Sequence, residues 1–298
     1  MKSIWERTQN IANKIAEKKD NSIKKTKESE INKLISNGND NNSDYNDNVY
    51  KEIYLPISKK TQIPVPNTIL RSALFGVVAK GTRKFEKSVL KATINGYQVK
   101  YTGEQLDQSD LDVWLECLQR CQKKSLGNKV IFSSNDFLKS ISRNTGKSDH
   151  EWLKSVFLRL RVSDIEISDG KYTYAGGLIF EHYRDEETGK NIVVLNPKIV
   201  ACFADYAWTG LTKSLRLKLK GKPLTQWLYS FYSTHAKPLA IKVQTLKYLC
   251  GSERRELRKF RYDLKKSLSD LSEITGWNCI IDQTDKVIVN KNNTLLQC

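Results

Sequence analysis

Residues Ser252 to Thr275 read SERRELRKFRYDLKKSLSDLSEIT, with no Gly or Pro. Leu257, Phe260, Leu264, Leu268 and Leu271 recur at spacings of 3, 4, 4 and 3, the period of one buried helix face. Arg254, Arg258, Arg261 and Lys265 recur at 4, 3 and 4, and Arg255, Lys259, Tyr262 and Lys266 repeat that spacing beside them. At about 100° per residue the two rows form one broad cationic arc, turned away from the apolar stripe. Ser252 is placed to cap the helix and Gly276 to stop it. An ordinary solvated face mixes charges so that i,i+4 pairs form. Here seven cations between residues 253 and 266 face only Glu253, Glu256 and Asp263. The imbalance reads as a helix that lies against a phosphate polymer. Arg254, Arg255, Arg258, Lys259, Arg261, Tyr262, Lys265 and Lys266 are its candidate contacts.

Around this stretch the pattern gives a helix at Leu224–His235, a short strand at Ala240–Val243 and a short helix at Gln244–Cys250. A hairpin, Cys279–Asp282 with Lys286–Val289, follows the basic helix. Helix, strand, helix, helix, hairpin is the order of a winged helix, whose third helix enters the major groove. The same order appears earlier: helix Asp107–Gln122, strand Lys129–Phe132, helix Ser134–Arg143, helix Ser148–Arg161, and strands at 165–168, 172–183 and 191–195. Lys147, Lys154 and Arg161, seven apart, make the corresponding basic row of the first unit. Asn95-Gly96 is a strong two-residue turn signal between strands 87–94 and 97–102, and Asp169-Gly170 marks another turn. Pro64 and Pro66 precede a helical run from Asn67 to Phe75.

The sequence is therefore read as α+β: two tandem winged-helix domains behind a flexible N-terminal arm. The arm is residues 1–50, the first domain 51–207 and the second, main DNA-reading domain 208–298. Ile4, Ile11 and Ile15 line a short amphipathic helix in the arm. The tract SNGNDNNSDYNDN from Ser36 to Asn48 cannot bury a core. Net charge is +17 over 298 residues, and the arm carries almost none of it. A balance this basic suits a phosphate polymer or an anionic surface.

Several chemistries find no support. No apolar run reaches the ~18 residues of a membrane span, and no export signal opens the chain. Six cysteines form no C-x-x-C, so neither a zinc site nor a disulfide framework is indicated, and reduced thiols fit a cytoplasmic protein. Gly146-Lys147-Ser148 echoes the end of a P-loop, but Ile141 stands where the first Gly belongs. Asp107, Asp110 and Asp112 open a helix, where carboxylates favour the dipole more readily than they build a nuclease site. His150, His182 and His235 stand alone. No catalytic centre, metal or cofactor is expected.

Arg71 to Phe75 (RSALF), Tyr101 to Leu106 (YTGEQL) and Asp110 to Trp114 resemble the first half of the TrfA-type plasmid replication initiators. Phe231 to His235 (FYSTH) and Leu246 to Ser252 (LKYLCGS) resemble the second. The resemblance spans roughly residues 65–290. It implies an iteron-binding initiator with two winged-helix domains that binds double-stranded, directly repeated origin sequences. It also implies opening of adjacent A·T-rich DNA and recruitment of host replication proteins, namely the host initiator, helicase and sliding clamp; a monomer–dimer equilibrium is compatible with the sequence, which does not fix the oligomeric state. A winged-helix transcriptional regulator and a DNA-cleaving or -joining enzyme are the alternatives. RSALF carries a narrower question. Leu74 and Phe75 resemble the apolar anchors of clamp-docking peptides, whereas the spacing of Ile69, Leu70, Ala73 and Leu74 favours a core role.

Overall fold

The computed structural model describes residues 54–291, apart from 80, 94–96 and 169–172. The arm at 1–50, its expected helix and the turns at Asn95-Gly96 and Asp169-Gly170 lie outside the described residues. Strand β1 (Gln62–Pro66) runs into a one-turn helix, α1 (Asn67–Leu70). The helix expected to reach Phe75 stops at Arg71 because side chains there have other partners. The Arg71 guanidinium donates to the Thr234 hydroxyl and carbonyl at 2.7 and 2.6 Å, and Ser72 Oγ accepts from the Leu74 amide.

Next come β2 (Phe75–Gly76), β3 (Phe85–Lys91), β4 (Gln98–Glu104) and β5 (Leu106–Asp107). Helix α2 (Gln108–Cys121) follows, then β6 (Val130–Ser133), α3 (Ser134–Ser140) and α4 (Lys147–Val162). Asp107 begins α2 by a reciprocal capping box with Asp110, which satisfies two otherwise orphaned amides. Four strands then follow: β7 (Asp164–Ser168), β8 (Thr173–Gly176), β9 (Ile179–Arg184) and β10 (Lys190–Leu195). The single strand expected at 172–183 is thus two strands, and they belong to different sheets. β8 closes the four-stranded sheet β3-β4-β7-β8, while β9 joins β6 and β10 in the order β6-β10-β9. The break falls at Gly176-Gly177. Gly176 has φ +153, and a Cβ on Gly177 would lie 2.8 Å from the Arg161 carbonyl. Only glycines allow the chain to turn this closely beneath the end of α4.

A 3₁₀ segment (Pro197–Tyr206) leads to β11 (Trp208–Thr212) and α5 (Lys213–Lys218), and then to α6 (Pro223–Ser233), β12 (Ile241–Lys242) and α7 (Val243–Leu249). The chain closes with α8 (Leu257–Thr275), β13 (Asn278–Ile281) and β14 (Lys286–Asn290). Gly276, at φ 72, ends α8 in the left-handed conformation expected of a helix stop. The last three strands form one sheet in the order β12-β14-β13. Helix, strand, helix, helix, strand pair therefore occurs twice, as α2-β6-α3-α4-β9/β10 and as α6-β12-α7-α8-β13/β14. The fold is α+β.

The two repeats are not held by a linker alone. β11 pairs antiparallel with β1, Ile63 opposite Leu211, so the strand at the start of the second unit completes a ribbon with the first. Arg216 is almost completely buried and reaches Asp112, Gln108 and Ser230 at 2.5–3.0 Å. Lys213 pairs with Glu116, and Trp227 Nε1 donates to the Ser72 carbonyl at 3.3 Å. The buried apolar residues of both repeats form one continuous cluster.

Candidate nucleic-acid interface

Helix α8 buries Phe260, Leu264, Leu268 and Leu271. At about 100° per residue, Tyr262 lies opposite that row, with Arg258, Lys259, Lys265 and Lys266 around it. Tyr262 is 74 % exposed, and its four cationic neighbours are exposed as well. Apolar period and cationic arc thus part to opposite sides, as the sequence predicts.

The N-terminal boundary differs. The helix starts at Leu257 with Glu256 at the cap position, not at Ser252. Gly251, at φ +65, turns the chain out of α7, and the Glu253 carboxylate is held by Lys84 at 2.7 Å and Gln105 at 3.3 Å. Residues 252–256 are outside the helix, tied by Glu253 to the first half, so Arg254 and Arg255 precede α8. Arg254 turns back to Asp263, with Nε 3.0 Å from the carboxylate. On the opposite flank Arg261 makes a two-pronged bond to Asp285 at 2.7 and 2.8 Å. Asp285 sits in the β13–β14 turn at φ 60, and its carbonyl accepts the Val243 amide. The guanidinium holds the Asp285 carboxyl below the usual carboxylate range. Arg261 therefore ties the hairpin turn to α8, and Arg254 ties the entering loop to it. Lys259 pairs with Glu256 at 2.7 Å, with both side chains more than half exposed. Arg255, Arg258, Lys265 and Lys266 form no ion pair among the described residues. An open hollow of about 450 Å³, lined by Arg254, Arg258, Lys259 and Tyr262 with two acids, lies on this face.

In the first half, α4 buries Leu153, Val156, Phe157 and Leu160. Lys147 and Arg161 are exposed on its other side and make no ion pair among the described residues, while Lys154 pairs with Glu151 at 2.9 Å. Gly146 is the cap residue of this helix, so the Gly-Lys-Ser triplet is a helix start. Lys220 donates to the Ser142 carbonyl near the start of α4, and Lys222 pairs with Asp270 of α8 at 2.8 Å. One short loop thus meets the α3–α4 connection on one side and α8 on the other.

The three early aspartates are occupied by the fold. Asp110 is completely buried between Arg159, at 2.8 Å, and Arg83, at 2.7 Å. Burial and the nearby Asp107 push its carboxyl up, against the pull of the two arginines. Asp107 caps α2 and pairs with Arg83, and Asp112 pairs with Arg216. No group of three metal-ligating side chains occurs among the described residues, nor does any described helix have the length and apolarity to cross a membrane. Leu74 and Phe75 are buried. Phe75 stacks on Trp114 with centroids 6.1 Å apart, so presenting this pair to a partner's pocket requires β2 to detach. Sequence reasoning missed the acidic clamps Asp263 and Asp285, since each reads locally as a stray carboxylate.

A family described as TrfA protein matches residues 7–283. The chain is 20 % identical over 219 residues to the plasmid replication initiator protein TrfA of Escherichia coli, covering 71 % of this chain and 57 % of that relative. It therefore spans little more than half the length of that curated relative. Its fold is similar to that of Pi initiator protein in complex with iteron DNA, with TM-score 0.54 and 13 % identity over 80 % of this chain and all of that one. Domains 2 and 3 of RctB are also similar, with TM-score 0.52 and 14 % identity over 77 % of this chain and 99 % of that one. The match across most of its length places this chain in the TrfA family.

Proposed function

We propose that this protein is a plasmid replication initiator that binds repeated origin sites in double-stranded DNA as two tandem winged-helix domains, residues 51–207 and 208–298. On this reading it promotes opening of adjacent A·T-rich DNA and recruits host replication proteins. The observation that carries the proposal is the outward face of α8, where Arg258, Lys265 and Lys266, without an ion pair among the described residues, surround an exposed Tyr262. Arginine can grip guanine edges bidentately, and neighbouring lysines can position the helix on phosphates. The similarity to an initiator solved with iteron DNA and the family membership support the same reading. The repeated element order supplies a second helix, α4, with Lys147, Lys154 and Arg161 for a neighbouring stretch of duplex. No chemistry by the protein itself is needed, because strand opening and loading follow from binding free energy and partner recruitment.

The test is footprinting on the parent replicon, together with a probe for unpaired bases. An initiator protects directly repeated sites and renders flanking A·T-rich DNA reactive. Protection without such reactivity would instead fit a transcriptional regulator of the same fold.

A further inference from the structure

Two apolar side chains of α4 stand in water although the core lies on the other side of the helix. Leu158 is 52 % exposed and Val162 60 %. Four residues apart, they are neighbours on one face. At about 100° per residue they fall near the centre of the face opposite the buried row, beside Lys147, Lys154 and Arg161. Single exposed apolar residues are ordinary, but this is an adjacent pair with a basic row along one flank, where Lys154, one to two turns nearer the helix start than the pair, is paired with Glu151. α8, in the same place of the second repeat, carries a single exposed aromatic, Tyr262, amid its cations.

That pattern matches one surface in particular. A duplex major groove has phosphates along both edges, and the thymine C5 methyl projects from its floor. Lys147 and Arg161 find no carboxylate within the described fold, so their charge is left for an external anion. We propose that Leu158 and Val162 read thymine methyl groups in the major groove, which makes α4 a second sequence-reading helix rather than a phosphate anchor alone. This rests on the initiator reading above. An acidic protein partner docking on the same pair is the competing occupant, and the unanswered cations on a chain of net charge +17 favour DNA.

The experiment begins with duplexes selected by the full chain from a randomised pool. Each thymine is then replaced by deoxyuridine, which removes one methyl at a time. Burying a methyl-sized group contributes enough for the wild-type chain to lose about fourfold in affinity per contacted methyl. The variant Leu158→Ala, Val162→Ala should melt as wild type does, bind the thymine duplex more weakly and no longer sense uracil at those positions. The uracil scan on the wild-type chain needs no variant, so the idea is open to refutation however the variant folds. No penalty at any thymine overturns it, as does a variant that keeps the full penalty. A variant with wild-type DNA binding that has lost self-association or capture of an acidic protein also overturns it and assigns the pair to protein docking. If selection enriches no sequence at all, the initiator reading itself fails, which is a different result from an enriched site indifferent to uracil.

Discussion

Arg254 and Arg258 look equivalent in the sequence, one turn apart in a basic row, yet the structure gives them different work. Arg254 and Arg261 answer carboxylates on the two flanks of α8, Asp263 and Asp285. Arg258 and Lys266 answer none among the described residues and are exposed. Each phosphate contact releases counterions and adds about 0.9 to the slope of log affinity against log salt. Arg258→Ala with Lys266→Ala should therefore flatten that slope by up to about two such units, with the melting temperature unchanged. Arg261→Ala should act differently. It frees the hairpin turn from α8 and, because solvent screens so exposed a pair, should leave the melting temperature nearly unchanged, with a smaller change in salt slope. Titration of a labelled duplex at several salt concentrations, beside thermal melts, separates the two classes. Equal slopes for both variants would dissolve the distinction.

Among the elements, most were legible because periodicity decides them. The apolar stripes of α2, α4 and α8 were readable, as was the β13–β14 hairpin, because each buries one face against its own neighbours. What escaped depends on remote partners. β1 contains Pro64 and Pro66, which argue against a central strand, and it exists as half of a ribbon with β11. The start of α8 was misplaced because Lys84 and Gln105, far away in sequence, hold Glu253. The split between β8 and β9 was signalled only by Gly176-Gly177. The segment at Leu74 and Phe75 now reads as core, and truncating both to Ala should lower the melting temperature markedly, at about 2–5 kcal/mol each. A stable double variant would count against that role. Helix–sheet packing also carries a pH dependence. His182 of β9 stacks on Phe157 of α4 with centroids 4.5 Å apart, and His235 follows α6. Burial holds both imidazoles below their ordinary pKa, and Arg161 lowers His182 further. Below about pH 6.5 the unfolded chain then binds more protons than the folded one, so stability falls as pH drops through that value and is unaffected above it. Melts between about pH 7 and 5.5 should show this, and a variant with His182→Asn and His235→Asn should show less of it.

At the scale of the molecule, the two repeats are joined by buried polar groups and cannot be pictured as beads on a tether. Arg216 is the centre of that junction, with Asp112, Gln108 and Ser230 as partners. Asp112→Ala leaves a buried guanidinium short of its counter-charge, a change that typically costs about 3–5 kcal/mol. Calorimetry should show a large loss for Asp112→Ala and little for Asp136→Ala, whose carboxylate is mostly exposed. On the proposed reading, a junction this closely packed would let both helices grip one duplex without the entropy of ordering a linker. Footprinting of the full chain on its parent origin tests the account most directly, comparing wild type with the Arg258→Ala, Lys266→Ala variant. Protection at directly repeated duplex sites, lost or strongly weakened in a variant that melts like wild type, is the predicted result. No repeated protection by the wild-type chain, or an identical footprint from the variant, would contradict it.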